Sequence, residues 1–202
     1  MMRTHERWWQ DHADIHAGEF GEWLENSDAW SREEVVRVVD AVRGGAEVSV
    51  CEIGPGLFHD YLTHWWKHDA VSYRAVEMTP KLAQYGREIG ADVVEGSITD
   101  LPLDGQSVDV AYCRHVIEHL APADIAPAMS ELVRVSRKAA VVVLFNSTDA
   151  RHHQYIQDWT VAVGTFCHRI SRPMLEKAAM REGMRATWTT SGRDWVLTLR
   201  HA

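Results

Sequence analysis

The sequence predicts an α/β fold in which helices cover both faces of a mostly parallel, seven-stranded sheet. Short apolar runs alternate with amphipathic segments from residue 48 onward, as they do where crossover helices join parallel strands. The run at residues 139–145 is apolar throughout, which is typical of a strand buried on both faces. The final two runs are joined by a short turn at residues 191–194, so these strands must be antiparallel to each other.

Capping residues, glycines and prolines predict where the elements begin and end. Ser31 followed by Glu34 forms a capping box that predicts a helix start, and Gly44 and Gly45 predict the end of that helix. The predicted strands are residues 48–53, 72–77, 92–95, 108–112, 139–145, 185–190 and 195–200. The other predicted helices are residues 58–68, 80–89, 123–135 and 173–181, and the long segment 146–171 has no predicted element.

Composition limits the classes of partner. The 202 residues fit one domain, and a hydrophobic fraction of 46% with a charged fraction of 25% is that of an ordinary globular protein. A formal charge of −8 argues against nucleic acid as the partner, because phosphate binding needs a basic surface. Neither a membrane span nor a signal peptide is expected, since no long apolar run is present. Three widely spaced cysteines indicate a reduced, cytoplasmic protein. They are Cys51, Cys113 and Cys167.

The most informative stretch is residues 49–58, where a β-branched run ends in Glu52 and a Gly54-Pro-Gly56 turn before an amphipathic segment. A strand that leads through a glycine turn into a helix is how α/β sheets receive nucleotide-like ligands, because glycine lets the backbone approach the ligand closely. Glu77 ends the next predicted strand, 23 residues beyond Gly54. This spacing suits a carboxylate that accepts both ribose hydroxyl protons.

Four motifs in collinear order resemble those of the class I S-adenosylmethionine-dependent methyltransferases. Residues 52–56 look like the family's first motif, and residues 76–78 look like its acidic ribose-binding motif. Residues 96–102 are similar to the adenine-contacting loop, and residues 108–120 to the fourth strand and the His-Val-x-Glu-His-Leu run that follows it. The resemblance spans roughly residues 47–146. It implies a Rossmann-like sheet with an antiparallel last strand, and S-adenosylmethionine as cofactor, with S-adenosylhomocysteine as its product.

The resemblance also implies which residues bind the cofactor. Those implied at its methionyl end are Gly54, Gly56, Cys113 and Arg114. Those implied at its ribose and adenine are Glu77, Met78, Ser97 and Ile98. Glu52 either faces the cofactor or bonds backbone N–H groups of its own turn, and Arg114 could instead bind an acidic acceptor or a helix end. Two positions depart from the family pattern: Phe58 replaces a third glycine, and Ser97 stands where Asp is frequent.

We therefore expect a single methyltransferase domain, residues 1–202, built from four parts. These are a helical N-terminal cap at residues 1–46, a cofactor-binding core at 47–146, an acceptor-site insertion at 147–172, and a C-terminal helix and hairpin at 173–202. In this family type the N-terminal segment often closes over the cofactor, a role that residues 9–20 could fill. Methyl transfer needs a base only if the acceptor must lose a proton. His115 is the first candidate for a catalytic base, and His152 in the long segment, with His153 and Tyr155 beside it, comes next.

The expected reaction is methyl transfer to an oxygen or nitrogen nucleophile of a small molecule, for example a hydroxyl of a sugar or secondary metabolite. The Asn/Asp-Pro-Pro-Tyr signature of many nucleic-acid and protein methylating relatives is absent after the fourth predicted strand. Two alternatives stay open, namely an NAD(P)-dependent oxidoreductase and a non-catalytic S-adenosylmethionine-binding protein. His115 and His119 also match an inverted zinc-peptidase pattern, yet nothing else supports a peptidase, so no metal is expected. The sequence gives no indication of the oligomeric state.

Overall fold

The computed structural model describes residues 29–156, 167–192 and 194–201. Its strands are β1 (Val48–Ile53), β2 (Val71–Glu77), β3 (Val93–Glu95), β4 (Val108–Arg114), β5 (Ser136–Leu144), β6 (Ser147–Thr148), β7 (Gln154–Tyr155), β8 (His168–Ser171), β9 (Met184–Ser191) and β10 (Asp194–His201). Its α-helices are α1 (Ala29–Arg43), α2 (His59–Thr63), α3 (Pro80–Glu88), α4 (Pro122–Val135) and α5 (Arg172–Arg181). Two 3-10 turns lie at Trp65–Lys67 and Ile117–His119.

Seven strands form the main sheet in the order β3-β2-β1-β4-β5-β10-β9. Strands β1 to β5 pair in parallel, whereas β10 is antiparallel to both β5 and β9. The predicted mostly parallel, Rossmann-like sheet with an antiparallel last strand is therefore confirmed. The strand order reverses at β1, which lies between β2 and β4, and open α/β sheets bind ligands outside the carboxyl ends of the strands at such a point.

The sheet separates two hydrophobic cores, and the residues of β5 alternate between them. Ala140, Val142 and Leu144 face the core shared with α4 and α5. Ala139, Val141 and Val143 face the second core, which includes the valines of α1. This two-residue period explains why residues 139–145 are apolar throughout, because each face of the strand is covered by helices.

Two predicted helices differ from those in the structure. Helix α1 begins at Ala29, so Ser31 lies inside it and the predicted capping-box start is wrong; its end at Arg43, followed by a left-handed Gly44 (φ 57°), is as predicted. The helix predicted at residues 58–68 is instead α2 and a 3-10 turn separated by His64. Trp65 lies in the second core, where its Nε1 donates a hydrogen bond to the Tyr112 hydroxyl at 2.9 Å.

The long segment after β5 contains strands that the sequence did not predict. Strand β8 pairs in parallel with β6 and antiparallel with β7, forming a small second sheet. His168, Ile170 and Ser171 of β8 are buried, and α5 follows directly, with the Ser171 hydroxyl accepting a hydrogen bond from the Met174 N–H. Across the described residues, no helix combines the length and apolar character that a membrane span requires.

Candidate functional site

The glycine loop after β1 lies at the point where the strand order reverses. Gly54 and Gly56 have positive φ angles of 69° and 57°, and the Gly54 N–H donates to the Val76 carbonyl at 2.8 Å. A Cβ added to Gly54 would lie 2.8 Å from Val116 Cγ2, so the surrounding protein excludes a side chain there. A Cβ added to Gly56 would meet nothing within 4 Å, which leaves the space beside this backbone open to a ligand.

The carboxylate of Glu77 joins this loop to the end of β2. One oxygen accepts a hydrogen bond from the Gly56 N–H at 3.2 Å and the other from the Thr79 N–H at 2.9 Å. Burial raises the pKa of Glu77, although these two backbone hydrogen bonds act in the opposite direction. Each carboxylate oxygen can accept more than one hydrogen bond, so this geometry leaves Glu77 able to accept ribose hydroxyl protons as well.

Phe58 occupies the position of the family's third glycine and keeps the backbone conformation that glycine would favour there. Its φ is 59°, in the left-handed region, and its side chain is fully buried. The ring lies against α3 at Gly86, where an added Cβ would come within 2.2 Å of Phe58 Cζ. The missing Cβ of Gly86 therefore makes room for the ring that this chain carries in its loop.

The residues implied at the adenine follow β2 and β3. Met78 and Ser97 are half-buried, whereas the side chain of Ile98 lies in the core between the sheet and α4. Ser97 forms an isolated bridge with Asp100, and its hydroxyl lies 3.0 Å from the Thr99 hydroxyl. The turn after β3 is thus closed by its own hydrogen bonds.

The hydrogen bond shown for Glu52 is with a tyrosine of β2 and not with backbone groups of its own turn. It is buried, and one of its carboxyl oxygens accepts a hydrogen bond from the Tyr73 hydroxyl at 2.7 Å. Burial and the nearby negative charge of Asp60 raise the pKa of Glu52 to about 8. Burial and Asp60 therefore favour the protonated form of Glu52 at neutral pH.

Asp60 is the residue that binds Arg114. The Arg114 Nη2 donates to one Asp60 oxygen at 3.0 Å, and the Arg32 Nε of α1 donates to the same oxygen at 2.9 Å. Burial would raise the pKa of Asp60, but the two guanidinium groups outweigh it and hold this pKa below its usual value. This contact of Arg114 is therefore with a buried carboxylate in the first turn of α2.

Cys113 points away from the loop. Its side chain is fully buried in the core between the sheet and α4, and burial raises the pKa of its thiol well above the usual range. Any contact of Cys113 with a ligand beyond β4 must therefore come from its backbone.

His115 follows β4 and contacts a residue that the sequence did not indicate. Its Nε2 lies 3.0 Å from an oxygen of Asp194, the first residue of β10, and its ring meets that of Phe145 edge-on at 5.2 Å. Glu118 is fully buried nearby and accepts a hydrogen bond from the Phe145 N–H at 2.7 Å. His119 lies in a 3-10 turn, so the two histidines do not share an α-helix face. No group of three or more His, Cys, Asp or Glu residues suited to a metal occurs among the described residues.

His152 and His153 of the long segment lie in different environments. His152 is exposed between β6 and β7, whereas His153 accepts a hydrogen bond from the Ser171 N–H at its Nδ1, 3.1 Å away. The Tyr155 ring is tilted by 57° to that of His168, with centroids 5.5 Å apart, and Tyr155 is half exposed. Residues 9–20, which were expected to cover the cofactor, lie outside the described part of the chain.

Comparison with known proteins matches the region that contains the glycine loop and Glu77. Residues 51–144 match a family model described as a methyltransferase domain. No curated protein sequence matches the chain. Among solved structures, 1,6-didemethyltoxoflavin-N1-methyltransferase of Burkholderia thailandensis, bound to 1,6-didemethyltoxoflavin and S-adenosylhomocysteine, is 14% identical with a TM-score of 0.70 over 100% of this chain and 92% of that one.

Two further structures share this fold. The magnesium protoporphyrin IX methyltransferase ChlM of Synechocystis, with bound S-adenosylmethionine, is 11% identical with a TM-score of 0.67 over 100% of this chain and 99% of that one. DesVI of Streptomyces venezuelae is 12% identical with a TM-score of 0.70 over 95% of this chain and 99% of that one. At such identities the likeness shows the fold alone.

Proposed function

We propose that the chain is a class I S-adenosylmethionine-dependent methyltransferase that methylates an oxygen or nitrogen nucleophile of a small molecule, and the match of residues 51–144 to a methyltransferase-domain model supports this. The observation that carries the proposal is the position of Glu77, whose carboxylate is held against the glycine loop by the Gly56 and Thr79 N–H groups. A buried acceptor beside an open glycine backbone, at the switch point of a parallel sheet, suits a ribose-bearing cofactor.

The residues present fit that cofactor. The open space beside Gly56 admits a ligand, and the Glu77 oxygens supply acceptors for ribose hydroxyls. When bound, the cofactor supplies a methyl group on a sulfonium, which is already an activated leaving group. The residues proposed to hold it are Glu52, Gly54, Gly56, Glu77, Met78, Ser97, Ile98, Cys113 and Arg114.

These residues contribute in different ways. Gly56 leaves its backbone open to a ligand, Gly54 lets the loop pack against Val116, and Cys113 would act through its backbone because its side chain is buried. Arg114 is held by Asp60, and Glu52 lies in β1 just before the loop, where a cationic cofactor would favour the loss of its proton. Backbone and side-chain groups at the ends of β1, β2 and β4 would thus position the ligand together, and positioning supplies most of the acceleration in methyl transfer.

His115 is the proposed base for acceptors that must lose a proton. It lies just past the carboxyl end of β4, where parallel sheets place reactive groups. His152 is the second candidate, exposed in the segment between β6 and β7.

A small-molecule acceptor, such as a sugar or secondary-metabolite hydroxyl, is favoured over nucleic acid because the chain carries a formal charge of −8. The Burkholderia structure, which holds a small acceptor, offers an analogy at the level of the fold. The three cysteines are buried free thiols, consistent with the reducing cytoplasm in which we propose the enzyme acts.

A turnover assay tests this proposal. The purified chain is incubated with S-adenosylmethionine and panels of phenols, catechols, sugars and amines, and formation of S-adenosylhomocysteine is measured. We expect product with at least one oxygen or nitrogen nucleophile, and a loss of at least tenfold in rate for the His115→Gln variant. Turnover only with nucleic acid or a protein substrate would contradict the small-molecule assignment.

A further inference from the structure

His115 and Asp194 form a contact between parts of the chain 79 residues apart. The imidazole Nε2 lies 3.0 Å from Asp194 Oδ2, and their side chains are only 15% and 11% exposed. Asp194 begins β10 and pairs with Ser191 across the hairpin, so its backbone is fixed by the sheet. The contact therefore joins a rigid strand end to the loop that follows β4.

The backbone of His115 is held in a conformation that is rare for a residue with a side chain. Its φ is 57°, in the left-handed region, and its N–H donates to the Val143 carbonyl at 3.0 Å. The edge-on contact with Phe145 restrains the ring from a second direction. Strained residues whose surroundings fix them in place are found preferentially at functional sites.

We propose that Asp194 is the positioning residue of His115: its carboxylate accepts the proton on Nε2 and so leaves the basic lone pair on Nδ1. This inference rests on the proposed function, in which His115 is the base. As the acceptor's nucleophilic atom forms its bond to the methyl carbon, Nδ1 takes the acceptor's proton, and the electrons of the methyl–sulfur bond stay on sulfur. The resulting imidazolium is stabilised by the negative charge of Asp194.

The charges around His115 favour this role. Burial would lower its pKa, but the Asp194 hydrogen bond and the nearby Glu118 outweigh burial and the positive charge of Arg114, so the pKa of His115 is raised. Glu118 carries only part of its charge at neutral pH, because burial raises its pKa to about 7. The base is active when neutral, so the methylation rate should rise with pH through this raised pKa.

Nuclear magnetic resonance of protein labelled with ¹⁵N in its histidine rings tests the assignment without an acceptor. The His115 signals are identified by their loss in His115→Gln. We expect the neutral ring to carry its proton on Nε2, and Asp194→Asn to lower the His115 pKa by about one unit or more. Asp92→Asn makes the same chemical change at an exposed partner of Arg74 and should leave the His115 signals unchanged. A proton on Nδ1 in the wild type, or an unchanged pKa in Asp194→Asn, would overturn the proposal.

Two further measurements separate this inference from the proposed function. Asp194→Asn should bind S-adenosylhomocysteine as the wild type does, because Asp194 lies outside the proposed cofactor contacts. With an acceptor, the variant should lose about ten- to a hundredfold in kcat, and the acidic limb of its pH profile should move to lower pH. Failure of the wild type to bind S-adenosylhomocysteine would instead refute the proposed function, whatever the histidine signals show.

Discussion

The Phe58 ring of the glycine loop fills the space that the missing side chain of Gly86 leaves on α3. The Phe58 ring is fully buried, and a Cβ on Gly86 would lie 2.2 Å from its Cζ. In Gly86→Ala the ring must move; overpacking costs about 1–3 kcal/mol, and so close an approach to a buried ring should cost the upper part of that range, about 2–3 kcal/mol. Alanine gains about 1 kcal/mol over glycine inside a helix, which offsets only part of that cost. We expect Gly86→Ala to lower the free energy of unfolding by about 1–2 kcal/mol.

Removing the ring should reverse the sign of this effect. Phe58→Ala should lower the free energy of unfolding by about 3–5 kcal/mol, since the ring is lost while the left-handed backbone is kept. In that background a Cβ at position 86 meets no ring, and Gly86→Ala should then stabilise the protein by about 1 kcal/mol. The two substitutions should therefore couple by about 2–3 kcal/mol.

Urea unfolding of the four proteins, followed by far-ultraviolet circular dichroism, measures this coupling. Gly45→Ala is the matched control, because its added Cβ would meet nothing within 4 Å, and it should have the same effect in both backgrounds. If Gly86→Ala has the same sign and size with and without the Phe58 ring, to within about 0.5 kcal/mol, the packing argument is wrong.

Two further predictions concern buried acidic side chains that follow or end strands β1 and β4. Glu52, with a pKa raised to about 8, and Glu118, with a pKa raised to about 7, bind more protons when folded than when unfolded. These two groups should thus lower the free energy of unfolding as pH rises from about 4.5 to 8, whereas His64, His153 and His168, whose pKa values burial lowers, act in the opposite direction. Glu52→Gln should therefore gain stability relative to the wild type as pH rises from about 5 to 8.5, and thermal melts in which this difference does not change with pH would refute the prediction. Asp60→Asn removes the carboxylate that holds Arg32 and Arg114, and should lower the free energy of unfolding by about 3–5 kcal/mol in urea titrations, while Asp92→Asn at an exposed pair changes it by less than about 1 kcal/mol.

Local sequence patterns predict most strands of the main sheet. The bounds of β1 were predicted to the residue, and α3 to within one residue, because a glycine turn and a proline mark their ends. Strand β8 was missed because it exists through pairing with β6 and β7, whose paired residues lie 23 and 13–15 positions earlier in the chain, and its His-Arg-Ile-Ser sequence carries little strand signal. The helix after β1 was predicted too long, because the burial of Trp65 against Tyr112 overrides helical propensity there.

Some residues of the candidate site could likewise be located from the sequence, whereas others could not. The glycine loop and Glu77 could be located from sequence, since each directly follows a strand of the predicted sheet. Asp60 and Asp194 could not, because their partners Arg114 and His115 lie 54 and 79 residues away. Such contacts depend on strand order and register, which residue spacing along the chain does not fix.

Calorimetric titration with S-adenosylhomocysteine, run beside NAD, tests the central claim most directly. We expect 1:1 binding of S-adenosylhomocysteine in the micromolar range, no binding of NAD, and at least a tenfold loss of affinity in Glu77→Ala. The variant's fold is checked by circular dichroism, and Asp92→Ala serves as the control that should bind like the wild type. Binding of NAD in place of S-adenosylhomocysteine, or full affinity in a folded Glu77→Ala, would contradict the account.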